Sequence, residues 1–208
     1  MVKKVFNYID QIIDNKELKT NVEDKILKKE KELKITIPNI LKEFYIRYSD
    51  NENILNSFYI ITNIEELKIE EDILIIGYSN QFINKYGIKI DELNNNYINV
   101  RVDSSRKNKE WIVYDELNSF IINVIVFQAI NMLESSAQID DSEIALEKFF
   151  VPLNKSDNKE AQIISYISKN KKVLAEYFVN DRIIYFGADT DETLEQFEEE
   201  AEVDLNWL

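Results

Sequence analysis

Three observations predict an α+β protein in which helices cover one face of a mixed or antiparallel sheet, with a hairpin-containing extension at the C-terminal end. Apolar residues recur at helical spacing up to Tyr48. Residues 58–114 are instead broken into short β-branched and aromatic runs. One apolar stretch, 116–133, is long enough to lie across a sheet. With 208 residues, 45% of them hydrophobic, the chain has the material for a substantial core: one domain and an appended subdomain.

Val5, Ile9, Ile12 and Ile13 form the stripe of a first amphipathic helix. Val22, Ile26 and Leu33 form that of a second, after a polar break at Asn15 to Asn21. Pro38 cannot continue the second helix but suits the first turn of a third, whose apolar stripe is Ile40, Leu41, Phe44, Tyr45 and Tyr48. Core packing explains that stripe. Phe58 to Ile61 and Ile73 to Tyr78 read as strands, and Asn63 before IEEL reads as one capped turn between them. Phe82 to Ile90 and Tyr97 to Val102 extend the sheet through an Asn94-Asn95-Asn96 connection, and a further strand passes through Trp111 to Tyr114.

Asp115 is placed to cap the long helix, Glu116 to Leu133. Ser135 to Asp141 and Asn154 to Lys159 are polar stretches of the kind that mark boundaries, with irregular structure or a short helix around Phe149 and Phe150 between them. The expected organisation is a core domain at 1–134, a connecting segment at 135–159 and a C-terminal part at 160–208 packed on the core. That last part begins with an amphipathic helix near Ala161 to Ile167. A tight hairpin follows, from Val173 to Phe178 and Arg182 to Phe186 around Asn180-Asp181, and then a helix opened by Asp189 and Glu192 that buries Leu194 and Phe197.

Composition narrows the chemistry. With no Cys and no His there is no thiolate nucleophile, no imidazole base and no thiolate or imidazole zinc site. Three scattered glycines, Gly77, Gly87 and Gly187, leave no phosphate-cradling loop. No catalytic residue, cofactor or metal is expected. Glu70-Glu71-Asp72 and Asp140-Asp141 offer carboxylates for acid-base work or a hard cation, but loop solvation accounts for them without either role. The formal charge of −14 repels nucleic acid and anionic lipid and speeds encounter with a basic partner, although such a balance also serves solubility alone. Asp10 and Asp14 interrupt any secretory signal core, and the longest apolar helix is too short to span a bilayer, so a cytoplasmic location is expected. The abundance of Asn, Ile and Lys points to an AT-rich genome.

The densest charge signal lies at Asp189, Asp191, Glu192, Glu195, Glu198, Glu199, Glu200, Glu202 and Asp204, with no basic residue among them and Trp207 just beyond. It reads either as a docking surface for basic side chains with an aromatic anchor, or as a solvated helix face whose first acids favour the helix dipole.

The stretch Ile73 to Ile90, ILIIGYSNQFINKYGIKI, resembles the heart of the SUKH superfamily, in which a strand carries an Asn-Gln pair and then an aromatic residue. The resemblance continues upstream through LKITIPNILKEFY, and downstream through the strand Tyr97 to Asp103, Trp111 and the apolar helix, covering the first two thirds of the chain. Ser79 stands where relatives often have an acid, Tyr86 where they often have Trp, and no Pro precedes Val100. The resemblance implies a SUKH-like fold and a bacterial immunity protein of a polymorphic toxin system. Such a protein binds a cognate toxin, often a nuclease or deaminase, and blocks it. It also implies that Asn80, Gln81 and Tyr86 contact the partner; alternatively the polar pair closes a turn while Tyr86 and Trp111 fill the core. A regulatory scaffold of the yeast cell-wall-assembly-regulator type, which shares the fold, is the alternative function. A carboxylate-dependent hydrolase is a third.

Overall fold

The computed structural model describes residues 2–13, 21–104, 110–154 and 161–208. The chain divides into two compact units: a central one, Glu17–Ile121, and a terminal one that joins Met1–Lys16 to Ile122–Leu208. The architecture is α+β, and both sheets are antiparallel. Two expectations need correction. The C-terminal hairpin belongs to a six-stranded sheet of its own, and the division falls between Ile121 and Ile122, inside the long helix, instead of after residue 134. The polar break preceding the second helix and the stretch after Asn154 lie largely outside the described residues.

Helix α1 (Val2–Ile12) belongs to the terminal unit and buries Val5, Phe6 and Ile9. The central unit opens on α2 (Val22–Leu33), which stops where Lys34 turns left-handed and donates its N–H to the Glu30 carbonyl. Pro38 then occupies the N-cap position of α3 (Asn39–Tyr48), where its missing N–H costs nothing. Leu41, Phe44, Tyr45 and Tyr48 are fully buried, and the Tyr45 hydroxyl donates to the Thr62 carbonyl at 2.8 Å. A short α4 (Glu52–Asn56), which the polar sequence hides, is capped by the Asn51 side chain accepting from the Ile54 N–H.

The central sheet comprises β1 (Tyr59–Ile61), β2 (Lys68–Glu70), β3 (Ile73–Ser79), β4 (Asn84–Lys89), β5 (Asn99–Ser104) and β6 (Trp111–Glu116), in the order β1-β3-β4-β5-β6 with β2 also paired to β3. The expected turn after Asn63 exists as a single 3-10 turn, without a side-chain cap. Tyr86 on β4 meets Tyr59, Tyr114 and Phe120 at ring distances of 5.9, 5.3 and 5.1 Å. Gly87, on the alternate face, is needed for its lack of a side chain. A Cβ there would sit 2.3 Å from Ile73 Cγ2, 3.0 Å from the Leu74 carbonyl and 3.3 Å from Trp111. Gly87→Ala is therefore expected to lower stability by about 1–3 kcal/mol through overpacking, read as a lower urea midpoint with an unchanged far-ultraviolet spectrum.

Helix α5 (Leu117–Met132) follows β6 directly. Asp115 is not its cap: it is the buried penultimate residue of β6, accepting the Glu116 N–H at 2.8 Å. Beyond α5 come β7 (Ser135–Asp140), α6 (Leu146–Phe149), β8 (Phe150–Pro152), β9 (Ile163–Ser168), β10 (Val173–Phe178), β11 (Ile183–Ala188), α7 (Asp191–Ala201) and β12 (Asn206–Trp207). The terminal sheet runs β12-β7-β11-β10-β9-β8. Thus the expected connecting segment contains β7, and the expected helix at Ala161 to Ile167 is β9. Ser135, Ala137 and Ile139 are buried while Ser136, Gln138 and Asp140 alternate with them; pairing to β11 and β12 stabilises a strand whose own composition is poor. In β9, apolar residues occupy both phases of the alternation, which blurs the sequence period.

The hairpin β10–β11 forms as expected, with Phe178 opposite Ile183 and Arg182 left-handed in the connection. One face of this sheet carries Ala137, Ile139, Val173, Ala175, Ile184, Phe186 and Ala188 against Leu194 and Phe197 of α7. Its other face meets α5: Phe127 contacts Phe178 and Tyr185 at 5.0 and 5.4 Å. There Glu176 is fully buried, and desolvation raises its carboxyl pKa well above the ordinary value. Its Oε2 lies 2.6 Å from the Ser165 hydroxyl, whose oxygen is also 2.8 Å from Asn123 Oδ1. One hydroxyl proton cannot serve both acceptors. A protonated Glu176 resolves the conflict by donating to Ser165, which donates to Asn123; Asn154 closes the network by donating to Asn123 and accepting the Ser165 N–H.

Candidate functional site

The charge is unevenly distributed. The terminal unit holds 10 basic and 20 acidic residues, a formal −10, against 15 and 19 in the central unit, a formal −4. Nine of those twenty acids lie on or beside α7. The helix forms because Thr190, not Asp189, caps it: the Thr190 side chain accepts the Thr193 N–H at 3.2 Å, while Asp189 accepts the Thr193 hydroxyl. Leu194 and Phe197 are buried as expected, Phe197 stacking on Phe150 and Phe186 at 5.3 and 5.2 Å.

Burial of that stripe turns Asp191, Glu192, Glu195, Glu199 and Glu200 outward, and all five are exposed, as are Asp189, Glu202 and Asp204. Two acids within the helix also bond residues beyond it. Asp191 accepts the Ser135 hydroxyl, and the half-buried Glu198 accepts the Leu205 N–H at 2.6 Å, which folds the last residues back past the helix end at Glu202. Glu198 therefore serves the fold first. Trp207 pairs opposite Ala137, and paired residues project to the same side, so the 41% exposed indole flanks α7 on the face that α7 covers. The helix acids and Trp207 thus occupy one side of the terminal sheet.

The other acidic clusters are tied up locally. Glu70 lies between Lys68 at 2.8 Å and Lys85 at 2.5 Å, which hold its carboxyl below the usual range. Asp141 accepts from Arg182 at 2.8 Å and from the Tyr177 hydroxyl at 2.6 Å; burial and this carboxylate push Tyr177 up to about 12. Among the described residues, no three acidic side chains are grouped so as to hold a metal ion.

Asn80 and Gln81 lie in the turn between β3 and β4, both exposed, where sequence reasoning started a strand too early, at Phe82. Ser79 organises the turn: its carbonyl accepts the Phe82 N–H at 2.8 Å and its hydroxyl accepts the Asn84 N–H at 3.0 Å. Tyr86, by contrast, is only 3% exposed and cannot contact a partner; its ring belongs to the aromatic core. Burial pushes its phenol up to about 12. The residues missed from sequence are Phe82 and Phe58, 65% and 41% exposed. The available signal was the absence of charge along 53–64 and 73–84 in a chain that is 31% charged.

Among the described residues, no helix is long and apolar enough to cross a membrane. Comparison with protein-family models, with curated proteins and with solved structures gave no match.

Proposed function

We propose that the chain is a cytoplasmic bacterial immunity protein of the SUKH type that binds a cognate, basic toxin domain, a nuclease or deaminase, and neutralises it by occlusion. The observation that supports this reading most is the exposed acidic face of α7 with Trp207 beside it. A toxin that acts on nucleic acid must be basic around its substrate channel, and a surface of opposite sign steers encounter and covers that channel. The indole supplies the apolar anchor that charge alone does not. No bond is made or broken, and no cofactor enters.

The experiment is co-expression with the toxin encoded by the adjacent gene: survival is expected only when this chain is present. The triple variant Glu195→Lys, Glu199→Lys, Glu200→Lys avoids the structurally engaged Glu198. It is expected to fold normally and bind the purified toxin roughly tenfold or more weakly. Normal affinity of that variant rejects the α7 face, and killing unaffected by the chain rejects the immunity reading.

A further inference from the structure

We infer that the tip of the β3–β4 hairpin is a protein-docking knob that inserts the Phe82 ring into an apolar recess of the partner. The inference rests on the reading that the chain acts by binding a protein, and it assigns an apolar contact to the central unit.

Three observations converge on the tip. Phe82 has φ 54°, a left-handed conformation that disfavours a bulky side chain and that Gly or Asn adopts readily. Strain of this kind persists where something offsets it. Burial does not, because the ring is 65% exposed and, among the described residues, stacks along Tyr78 alone, at 5.4 Å. The turn itself does not require Phe, since the bonds that close it come from Ser79 and from backbone N–H groups that any residue supplies.

The surroundings have the composition of an interface centre. Ile60 pairs opposite Tyr78, both half-buried, and Phe58, 41% exposed, directly precedes β1. Exposed aromatics, amides at Asn80 and Gln81, and the absence of any charge along 53–64 and 73–84 match the fully buried part of protein interfaces, where charge is depleted and aromatics are enriched. Charge lies only at the edge of this patch and is already paired within the chain: Lys85 stands opposite Tyr78, Lys68 bonds to Tyr78, and Glu70 is held between the two lysines. The counterpart to the Phe82 ring is therefore an apolar recess, since an unpaired partner charge buried there would be costly.

The test uses the full chain and the purified toxin domain encoded beside it, with Phe82→Gly as the principal variant. Gly accepts the left-handed backbone, so the melting temperature is expected to stay the same or rise while affinity falls at least tenfold; Phe82→Trp should restore most of the binding. Wild-type affinity in Phe82→Gly overturns the inference and leaves the immunity reading standing. Absence of toxin binding by the wild-type chain overturns both. Sedimentation of the wild-type chain as a dimer that Phe82→Gly dissociates also overturns it, by making the tip a contact between copies.

Discussion

Glu176→Gln should raise the stability of the protein at neutral and alkaline pH and flatten its pH dependence. The carboxyl is fully buried, has no partner for Oε1 among the described residues, and desolvation raises its pKa well above the ordinary carboxylate value. Its folded pKa lies above the unfolded one, so between the two values the unfolded chain has released a proton that the folded chain keeps. Stability then falls as pH rises through that window, by about 1.4 kcal/mol per pH unit. The contribution is complete below the ordinary carboxylate value and is lost progressively toward the raised one. Gln has nearly the same shape and donates to Ser165 without titrating, so its unfolding free energy should lack this slope. Denaturant titrations of both proteins across the neutral range provide the check, and parallel pH profiles would mean that Glu176 is not held neutral. Glu70, Asp140 and Asp141 act in the opposite sense: their lowered pKa values give stability above the ordinary carboxylate value that is lost as pH falls, with little weight because solvent still reaches all three side chains, which are 35, 51 and 20% exposed.

Phe186→Ala should cost about 3–5 kcal/mol, the range for removing a buried ring whose cavity cannot close. Phe186 is fully buried, stacks on Phe150 and Phe197, and is flanked in register by Ala175 and Ala137 on the neighbouring strands. Methyl groups on both sides cannot swing into the space. Since α7 rests on this ring, its acidic face should loosen as well, and the toxin binding proposed for that face should weaken although none of its acids has changed. Phe186→Leu, which keeps most of the volume, should retain most of the stability by urea unfolding. A cost below about 1 kcal/mol for the alanine variant would contradict the packing of α7 on the sheet.

The helices α1 to α3, the strands from β1 to β6 other than β2, the hairpin β10–β11 and the buried stripe of α7 are legible in the sequence, because in each a local period or a turn signal agrees with the final packing. The second sheet was hidden because two of its strands do not look like strands. Six alternating residues of Ser, Ala, Gln and Asp with a single Ile say boundary until β11 and β12 are placed beside them. The buried Glu176 escaped for a related reason, since its neutrality depends on Ser165, Asn123 and α5, which are distant in sequence. At the candidate surface, an acidic run could be read directly from composition. The turn that carries Asn80 and Gln81, and the removal of Tyr86 into the core, required three-dimensional pairing.

The most direct test of the proposed interface built on charge is the affinity of the purified chain for the proposed toxin domain across a series of salt concentrations, beside the variant reversed at Glu195, Glu199 and Glu200. Wild-type affinity is expected to fall steadily with salt, and the reversed chain to bind more weakly with a shallower slope. Equal affinities with parallel slopes would contradict binding through the acidic face of α7.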